Sequence, residues 1–232
     1  MKVVMGLSGG MDSATLLGLL INEGHEVHCS LFNYGSKHNK WENAAALHVL
    51  DYYKYLGGGF NTPSPPYCLD LTNVMREFKS ALLSSSDTEI PEGHYAQESM
   101  RQTVVPGRNT IFASIMLGIA ETVGAGAIAL GVHAGDHHIY PDCRKEYVKA
   151  LDTALYLASD RSVQVWAPLI DDTKTTILQK GYDLAPVVPY HLTRTCYKDQ
   201  PLACGKCGAC NERLEAFSAI NRVDPIEYGG IG

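Results

Sequence analysis

The sequence has no long hydrophobic run. Its N-terminus, MKVVMGLSGG, holds one lysine and a short apolar stretch that meets glycines at once, too little for the core of an export signal or for a membrane-spanning helix. The expected compartment is the cytoplasm, with no membrane partner. Basic side chains are in deficit: 19 Lys and Arg face 25 Asp and Glu, a net charge of −6. That balance argues against a chain whose main task is gripping a nucleic-acid backbone. Repeats at solenoid periods and long low-complexity tracts are missing too, so the chain is not an array. With 19% charged residues against 45% hydrophobic ones, disorder, collagen and coiled coil are excluded. The 232 residues suit one large domain with a small addition, at roughly 150 residues per domain.

Cysteine is present in an unusual arrangement. Cys29, Cys68 and Cys143 are scattered, while Cys196, Cys204, Cys207 and Cys210 fall within fifteen residues. Thiols stay reduced in the cytoplasm, so the cluster reads as a metal site before it reads as disulfides. Four thiolates close a tetrahedral structural zinc site, and Gly205 and Gly208 allow the tight turns that short spacings need. An iron–sulfur cluster is the rival reading, because two-residue spacings occur there as well.

Elsewhere the pattern alternates. Strands are predicted at residues 2–7, 26–34, 67–71 and 127–132. Helices are predicted after the SGGMDS turn as far as Gly24, over 37–56 with Trp41, Ala45, His48, Val49 and Tyr52 on one face, from Thr72 as N-cap to 83, from Asn109 as cap to Val123, and over 142–158 with Val148, Leu151, Leu155 and Ala158 as its stripe. A triple glycine, 57–59, closes the second helix. Residues 84–102 lack periodicity and read as a mobile loop of the kind that forms lids. Strands alternating with helices imply a doubly wound parallel α/β sheet, whose ligands bind beyond the carboxyl ends of the strands. The expected division is a large α/β domain over residues 1–188 and a small zinc-binding appendage over 189–232.

The first strand end is SGGMDS. Gly9 and Gly10 let the backbone approach a ligand, and the free N–H groups of the following helix favour an anion there. Ser8 and Ser13 add hydroxyls, and Asp12 could cap the helix or help hold Mg2+ on phosphates. The lysine-bearing Walker pattern is absent, which excludes the usual kinase or GTPase loop. SGGMDS instead resembles the SGGxDS loop of the ATP-pyrophosphatase (PP-loop) group, which activates carboxyl or carbonyl oxygens as adenylates. A second glycine pattern, Gly124, Gly126 and Ala129, precedes a strand instead of following one, so it is not a dinucleotide fingerprint.

NYGSKH, VPGRN, GVHAGDHHIYPDCR, PLIDDTKTTI, TCYKDQPLACGKCGACNERLEAF and DPIEY narrow the resemblance. Together they are similar to the QueC family of 7-cyano-7-deazaguanine synthases, over about residues 2–228. The resemblance implies an adenine-nucleotide α-hydrolase-like fold, one zinc on four cysteines and a homodimer. It also implies the conversion of 7-carboxy-7-deazaguanine, ammonia and ATP into a nitrile precursor of queuosine. Two departures stand out: the family's DYGQRH is here Asn33-Tyr34-Gly35-Ser36-Lys37-His38, and Met11 replaces a frequent glutamine.

On this reading Leu7, Ser8, Gly9, Gly10, Met11, Asp12, Ser13, Ala14, Thr15, Leu16 and Leu17 bind ATP, and Asp12, Ser13, Arg108 and Lys174 are catalytic. Arg108 precedes a helix start where a guanidinium and free N–H groups could converge on an anion. Lys174 also lies near a helix start, where a cation is disfavoured unless an anion is close. Tyr34, Asp136, Tyr140, Asp142 and Arg144 are the expected substrate contacts. His133, His137 and His138 read as hydrogen-bonded or solvated, not as a second metal site. Three alternatives remain open: arrest at the amide, a tRNA-thiolating enzyme with an iron–sulfur cluster, and a non-catalytic nucleotide or zinc-ribbon module.

Overall fold

The computed structural model describes residues 1–56, 61–94, 97–133, 135 and 139–229. The expectations placed on glycines 57–59, Asp136, His137 and His138 lie outside the described residues. Five strands, β1 (Lys2–Gly6), β2 (Glu26–Asn33), β3 (Tyr67–Asp70), β4 (Ala127–Ala129) and β5 (Gln164–Trp166), alternate with helices. The helices are α1 (Met11–Asn22), α2 (Asn39–Tyr55), α3 (Thr72–Met75), α4 (Arg108–Val123), α5 (Lys145–Ala158), α6 (Lys174–Asp183) and α7 (Gly208–Ala219). The strands form one sheet in the order β3-β2-β1-β4-β5, and each neighbouring pair is parallel.

Strand alternation divides the apolar side chains between two layers. Val3, Met5, Val27, Cys29, Leu31, Ala127 and Ala129 face a core shared with α1, α2, α6 and α7. Val4, Phe32, Ile128 and Val165 face the opposite core, filled by α4 and α5. α1 is buried nearly all round, through Met11, Leu16, Leu17, Leu20 and Ile21. Full burial of such side chains stabilises by about 1.5–3 kcal/mol each, which fixes the N-terminus of α1 against the sheet. The chain winds one way from β1 to β3 and the other way from β4 to β5, so the crevice between the carboxyl ends of β1 and β4 is the topological switch point.

Several elements differ from the sequence expectation. The helix expected from Thr72 to 83 stops at Met75, because the following chain pairs with other segments: Ala81 N–H donates to Gln102 O and Lys37 N–H to Leu82 O. α4 begins at Arg108 behind Gly107 at φ 64°, so Asn109 lies inside the helix. The 142–158 helix begins at Lys145, after a 3-10 turn over Pro141–Cys143. On α2 the buried stripe is Ala45, Ala46, Val49, Leu50 and Tyr53, which includes the expected Ala45 and Val49, while His48 is exposed. β5 was not expected; its three residues bury only Val165, too short for a periodic signal.

The C-terminal segment is tied into the same body. The cysteines form a small core with Ala203 and Ala209, while Ala216 and Phe217 of α7 enter the main core. The fully buried Arg213 donates to Asp224 through Nε at 2.6 Å and Nη2 at 2.8 Å, and to Tyr190 O and Thr193 Oγ1. The segment expected as a lid is bonded to the cysteine region: Gly93 N–H donates to Lys206 O and Asn211 Nδ2 to Gly93 O.

Candidate functional site

Residues 7–10 carry the chain from β1 into α1. Gly9 has φ 79°, and a side chain there would meet Ala46 N at 2.6 Å and Glu42 O at 2.7 Å, so only glycine lets the loop press against α2. Gly10 is the N-cap of α1 and supplies no side-chain cap, which leaves the first-turn N–H groups directed out of the helix. The hydroxyls bond one another: Ser8 Oγ lies 3.1 Å from Ser13 Oγ, Gly10 N–H donates to Ser8 Oγ, and Ser13 Oγ donates to Gly10 O.

Beside this loop is a buried charge cluster. Lys174, the first residue of α6, donates to Asp12 Oδ2 at 2.6 Å and lies 3.3 Å from Glu212 Oε2 and 3.1 Å from His133 Nε2. Burial alone would raise the Asp12 pKa, but the Lys174 ammonium and the His133 ring overcome it and hold the carboxyl far below its usual range. Asp12 Oδ1 is buried without a hydrogen-bond partner among the described residues. The cation at the start of α6, unfavourable toward the helix dipole alone, is thus matched by two carboxylates. Thr173 caps α6 through a reciprocal capping box with Thr176, which fixes where Lys174 begins its reach.

The loop, together with Asp12, Lys174 and Glu212 of the cluster, lines a cavity of about 230 Å³ at the switch point. Tyr34, Phe32 and Phe112, Arg108, Tyr140 and Glu42 line the same cavity. The Phe32 and Phe112 rings are parallel with centroids 4.0 Å apart. Arg108 Nη1 donates to Tyr34 Oη at 3.4 Å. Burial works against its charge, yet Tyr34, Tyr140, Tyr197 and Asp142 around it raise its pKa and keep it ionised. Tyr34 is pushed up to about 12 by burial and by the Glu42 carboxylate. Tyr140 is oriented by a 2.7 Å bond between its hydroxyl and Thr103 Oγ1.

The structure brings Leu7, Ser8, Gly10, Asp12, Ser13, Tyr34, Arg108, Tyr140 and Lys174 onto this cavity. Met11, Ala14, Leu16 and Leu17 point into the main core instead, and Thr15 Oγ1 bonds Met11 O and Tyr190 Oη. Asp142 and Arg144 are not among the lining residues. Asp142 Oδ2 accepts from Asn109 N–H at 3.1 Å, so a carboxylate of the chain itself occupies the start of α4, where an anion was expected beside Arg108. Arg144 is exposed. Sequence reasoning missed Glu42, Glu212 and Arg194 as lining residues and gave no site role to His133, which is fully buried on Lys174. Glu212 stood only two places beyond the last cysteine; nothing local marked Glu42.

The sulfurs of Cys196, Cys204, Cys207 and Cys210 all lie within 4.8 Å of one another and are buried. Backbone N–H groups converge on two of them: those of Lys198 and Cys204 on Cys196 Sγ, and those of Lys206 and Cys207 on Cys204 Sγ. Such donors suit thiolate acceptors, and the cluster could hold one metal ion. Among the described residues no helix is long and apolar enough to cross a membrane.

Comparison with known proteins agrees with this geometry. The solved structure of a 4-thiouridine synthetase–RNA complex with bound ATP superposes with a TM-score of 0.50 at 18% identity, over 98% of this chain and 47% of that one. NMN synthetase from Francisella tularensis superposes with a TM-score of 0.51 at 14% identity, over 95% of this chain and 77% of that one. These likenesses show a shared fold. The 7-cyano-7-deazaguanine synthase of Pseudoalteromonas atlantica is 42% identical over 227 residues, 98% of each chain. That of Caldicellulosiruptor bescii is 43% identical over 228 residues, 98% of this chain and 97% of that one. A family model described as "Queuosine biosynthesis protein QueC" matches residues 2–221, and the chain belongs to the QueC family.

Proposed function

We propose that this chain is a 7-cyano-7-deazaguanine synthase, an ATP-dependent carbon–nitrogen ligase that converts 7-carboxy-7-deazaguanine and ammonia into the nitrile. One observation carries the reading. A single cavity joins the SGGMDS loop and Lys174, suited to a phosphate chain, to Arg108, Tyr34, Phe32 and Phe112, suited to a flat base bearing a carboxylate. The relatives at 42% and 43% identity that carry this name support it.

A carboxylate is a poor electrophile because oxide is a poor leaving group. The substrate carboxylate, held by Arg108, attacks the α-phosphorus of ATP, and pyrophosphate departs into the loop. Ser8, Ser13 and the first-turn N–H groups of α1 donate to it there, and Lys174 stabilises its charge. Ammonia then displaces AMP to give the amide. A second activation at the amide oxygen, followed by elimination, gives the nitrile. The orphaned Asp12 Oδ1 fits a hard cation such as Mg2+, which would neutralise charge on the phosphates.

The four thiolates suit one structural Zn2+. Tetrahedral zinc with Zn–S bonds of about 2.3 Å sets sulfurs roughly 3.8 Å apart, and Cys204 Sγ and Cys210 Sγ are 3.9 Å apart. A multi-iron cluster spreads its thiolates more widely, since each binds a different iron. With four protein ligands the ion would have no open position, so its work is to shape residues 189–232 beside the ATP-binding residues 1–188. The proposal includes a cytoplasmic homodimer, which light scattering on the purified protein tests.

The decisive experiment incubates the zinc-loaded protein with ATP, Mg2+, ammonium and 7-carboxy-7-deazaguanine and identifies products by mass. The expected products are the nitrile, AMP and pyrophosphate. Amide alone would confine the enzyme to the first activation, and failure to form either product would overturn the reading.

A further inference from the structure

The nucleophile of the proposed reaction is present in neutral water mainly as ammonium, a cation, yet only ammonia attacks carbon. Its site therefore needs a carboxylate on the cavity wall that is not already engaged by a cation. Among the described residues, Asp12, Glu42 and Glu212 are the carboxylates lining the cavity. Asp12 and Glu212 lie 2.6 and 3.3 Å from Lys174 Nζ. Glu42, in the first turn of α2, has a different setting: its one ion-pair partner among the described residues is His38, with Nε2 3.4 Å from Oε2. Ser36 Oγ donates to the same oxygen at 3.5 Å.

His38 is a second, independent pointer. It is 1% exposed, and neither ring nitrogen completes a hydrogen bond among the described residues. A buried polar group left in that condition is unfavourable. A proton arriving on Glu42 would relieve this at one of the two nitrogens, since the new O–H could turn to donate to His38 Nε2. The other charged or titratable groups facing this corner are Tyr34 at the end of β2, Arg108 of α4, and Arg194 and Tyr197 of the cysteine segment. Arg194 already donates to the carbonyls of Lys198, Gln200 and Pro201. Tyr34 accepts from Arg108, the residue assigned to the substrate carboxylate, and its hydroxyl is near enough to feel the Glu42 charge.

We infer that Glu42, backed by His38, is the ammonium-binding site and takes the first proton from the bound cation. One proton passes from ammonium to Glu42. The C–N bond then forms between ammonia and the adenylated carbonyl carbon, and the C–O bond to AMP breaks with its electron pair staying on the phosphate. The proton shed by the new amide nitrogen goes to that phosphate. The inference rests on the ligase reading, and its test separates the two.

The test uses the full-length Glu42→Gln variant in three assays: ATP–pyrophosphate exchange driven by 7-carboxy-7-deazaguanine without ammonium, the full reaction against ammonium concentration, and the full reaction with hydroxylamine, which is uncharged at neutral pH. Exchange stays at the wild-type rate, kcat/KM for ammonium falls by about 10²-fold, in the range of a lost general base, and hydroxylamine is used nearly as well as by wild type. Glu42→Asp, which keeps the charge, recovers part of the ammonium activity. Equal loss with both nucleophiles, or loss of exchange in Glu42→Gln, would overturn the assignment to ammonium. Failure of the wild-type protein to exchange would instead sink the ligase reading.

Discussion

Lys174 and Asp12 stand 162 residues apart in sequence and 2.6 Å apart in space. The contact joins the start of α6 to the start of α1, and through Glu212 it reaches α7 of the cysteine segment. The phosphate loop, a lysine from a separate segment and the cysteine-rich end of the chain thus meet at one nitrogen.

Replacing that nitrogen tests its role. Lys174→Met is expected to lower ATP–pyrophosphate exchange by about 10²–10³-fold, the loss typical of one electrostatic donor to a transition state. It also lowers Tm, because Asp12 and Glu212 then face each other without a cation. Exchange at the wild-type rate would remove Lys174 from the chemistry.

Asp12 also sets a pH dependence. Its folded-state pKa lies below the ordinary 3.8, so the unfolded chain binds the proton more readily than the native one. The stability it contributes is complete above about pH 5 and is lost progressively as pH falls below that. Urea unfolding between neutral and acid pH should therefore show a shallower acid loss in Asp12→Asn than in the wild type. Parallel curves would contradict the assignment.

Arg213 and Asp224 are a buried pair, 0% and 3% exposed in their side chains. Arg213→Met leaves the Asp224 carboxylate without its guanidinium, and a loss of about 3–5 kcal/mol is expected. Urea denaturation measures it. Arg213→Met combined with Asp224→Leu should recover much of the loss, since the cost lies mainly in the orphaned charge.

Thiol chemistry reads out the cysteine cluster. Cys68 is exposed, whereas Cys29 is buried and its thiol is pushed up to about 12 by desolvation, so native alkylation should label Cys68 rapidly and spare Cys29. Chelation should release one Zn2+ per chain, open Cys196, Cys204, Cys207 and Cys210 to labelling, and lower Tm by roughly 10 °C or more, since structural zinc binding contributes directly to folding. Peptide mapping by mass spectrometry checks the pattern.

Local chemistry made much of this legible in sequence. SGGMDS announces its own conformation: glycine is needed wherever backbone crowds as it does at Gly9, and the apolar residues after it can only form a buried helix. The cysteine spacing marks a cluster that could hold a metal ion, and the fold gathers its four sulfurs within 4.8 Å of one another. Strand and helix alternation pointed to the parallel sheet, although β5 was too short to be read and the end of α3, set by distant pairing partners, was placed eight residues too far along.

What the sequence by itself determined was the phosphate loop, the thiolate cluster, the α/β rhythm and the family resemblance, all carried by residues close together in the chain. The tertiary structure decided which of the other polar residues share the cavity. It turned Asp142 onto the α4 N-terminus, sent Leu16 and Leu17 into the core, and brought Glu42, His133 and Glu212 to the site from separate segments. The reason is physical: a charge in a cavity is stabilised by partners a few ångströms away in space, and only the packing of the helices on the sheet fixes which residues those are.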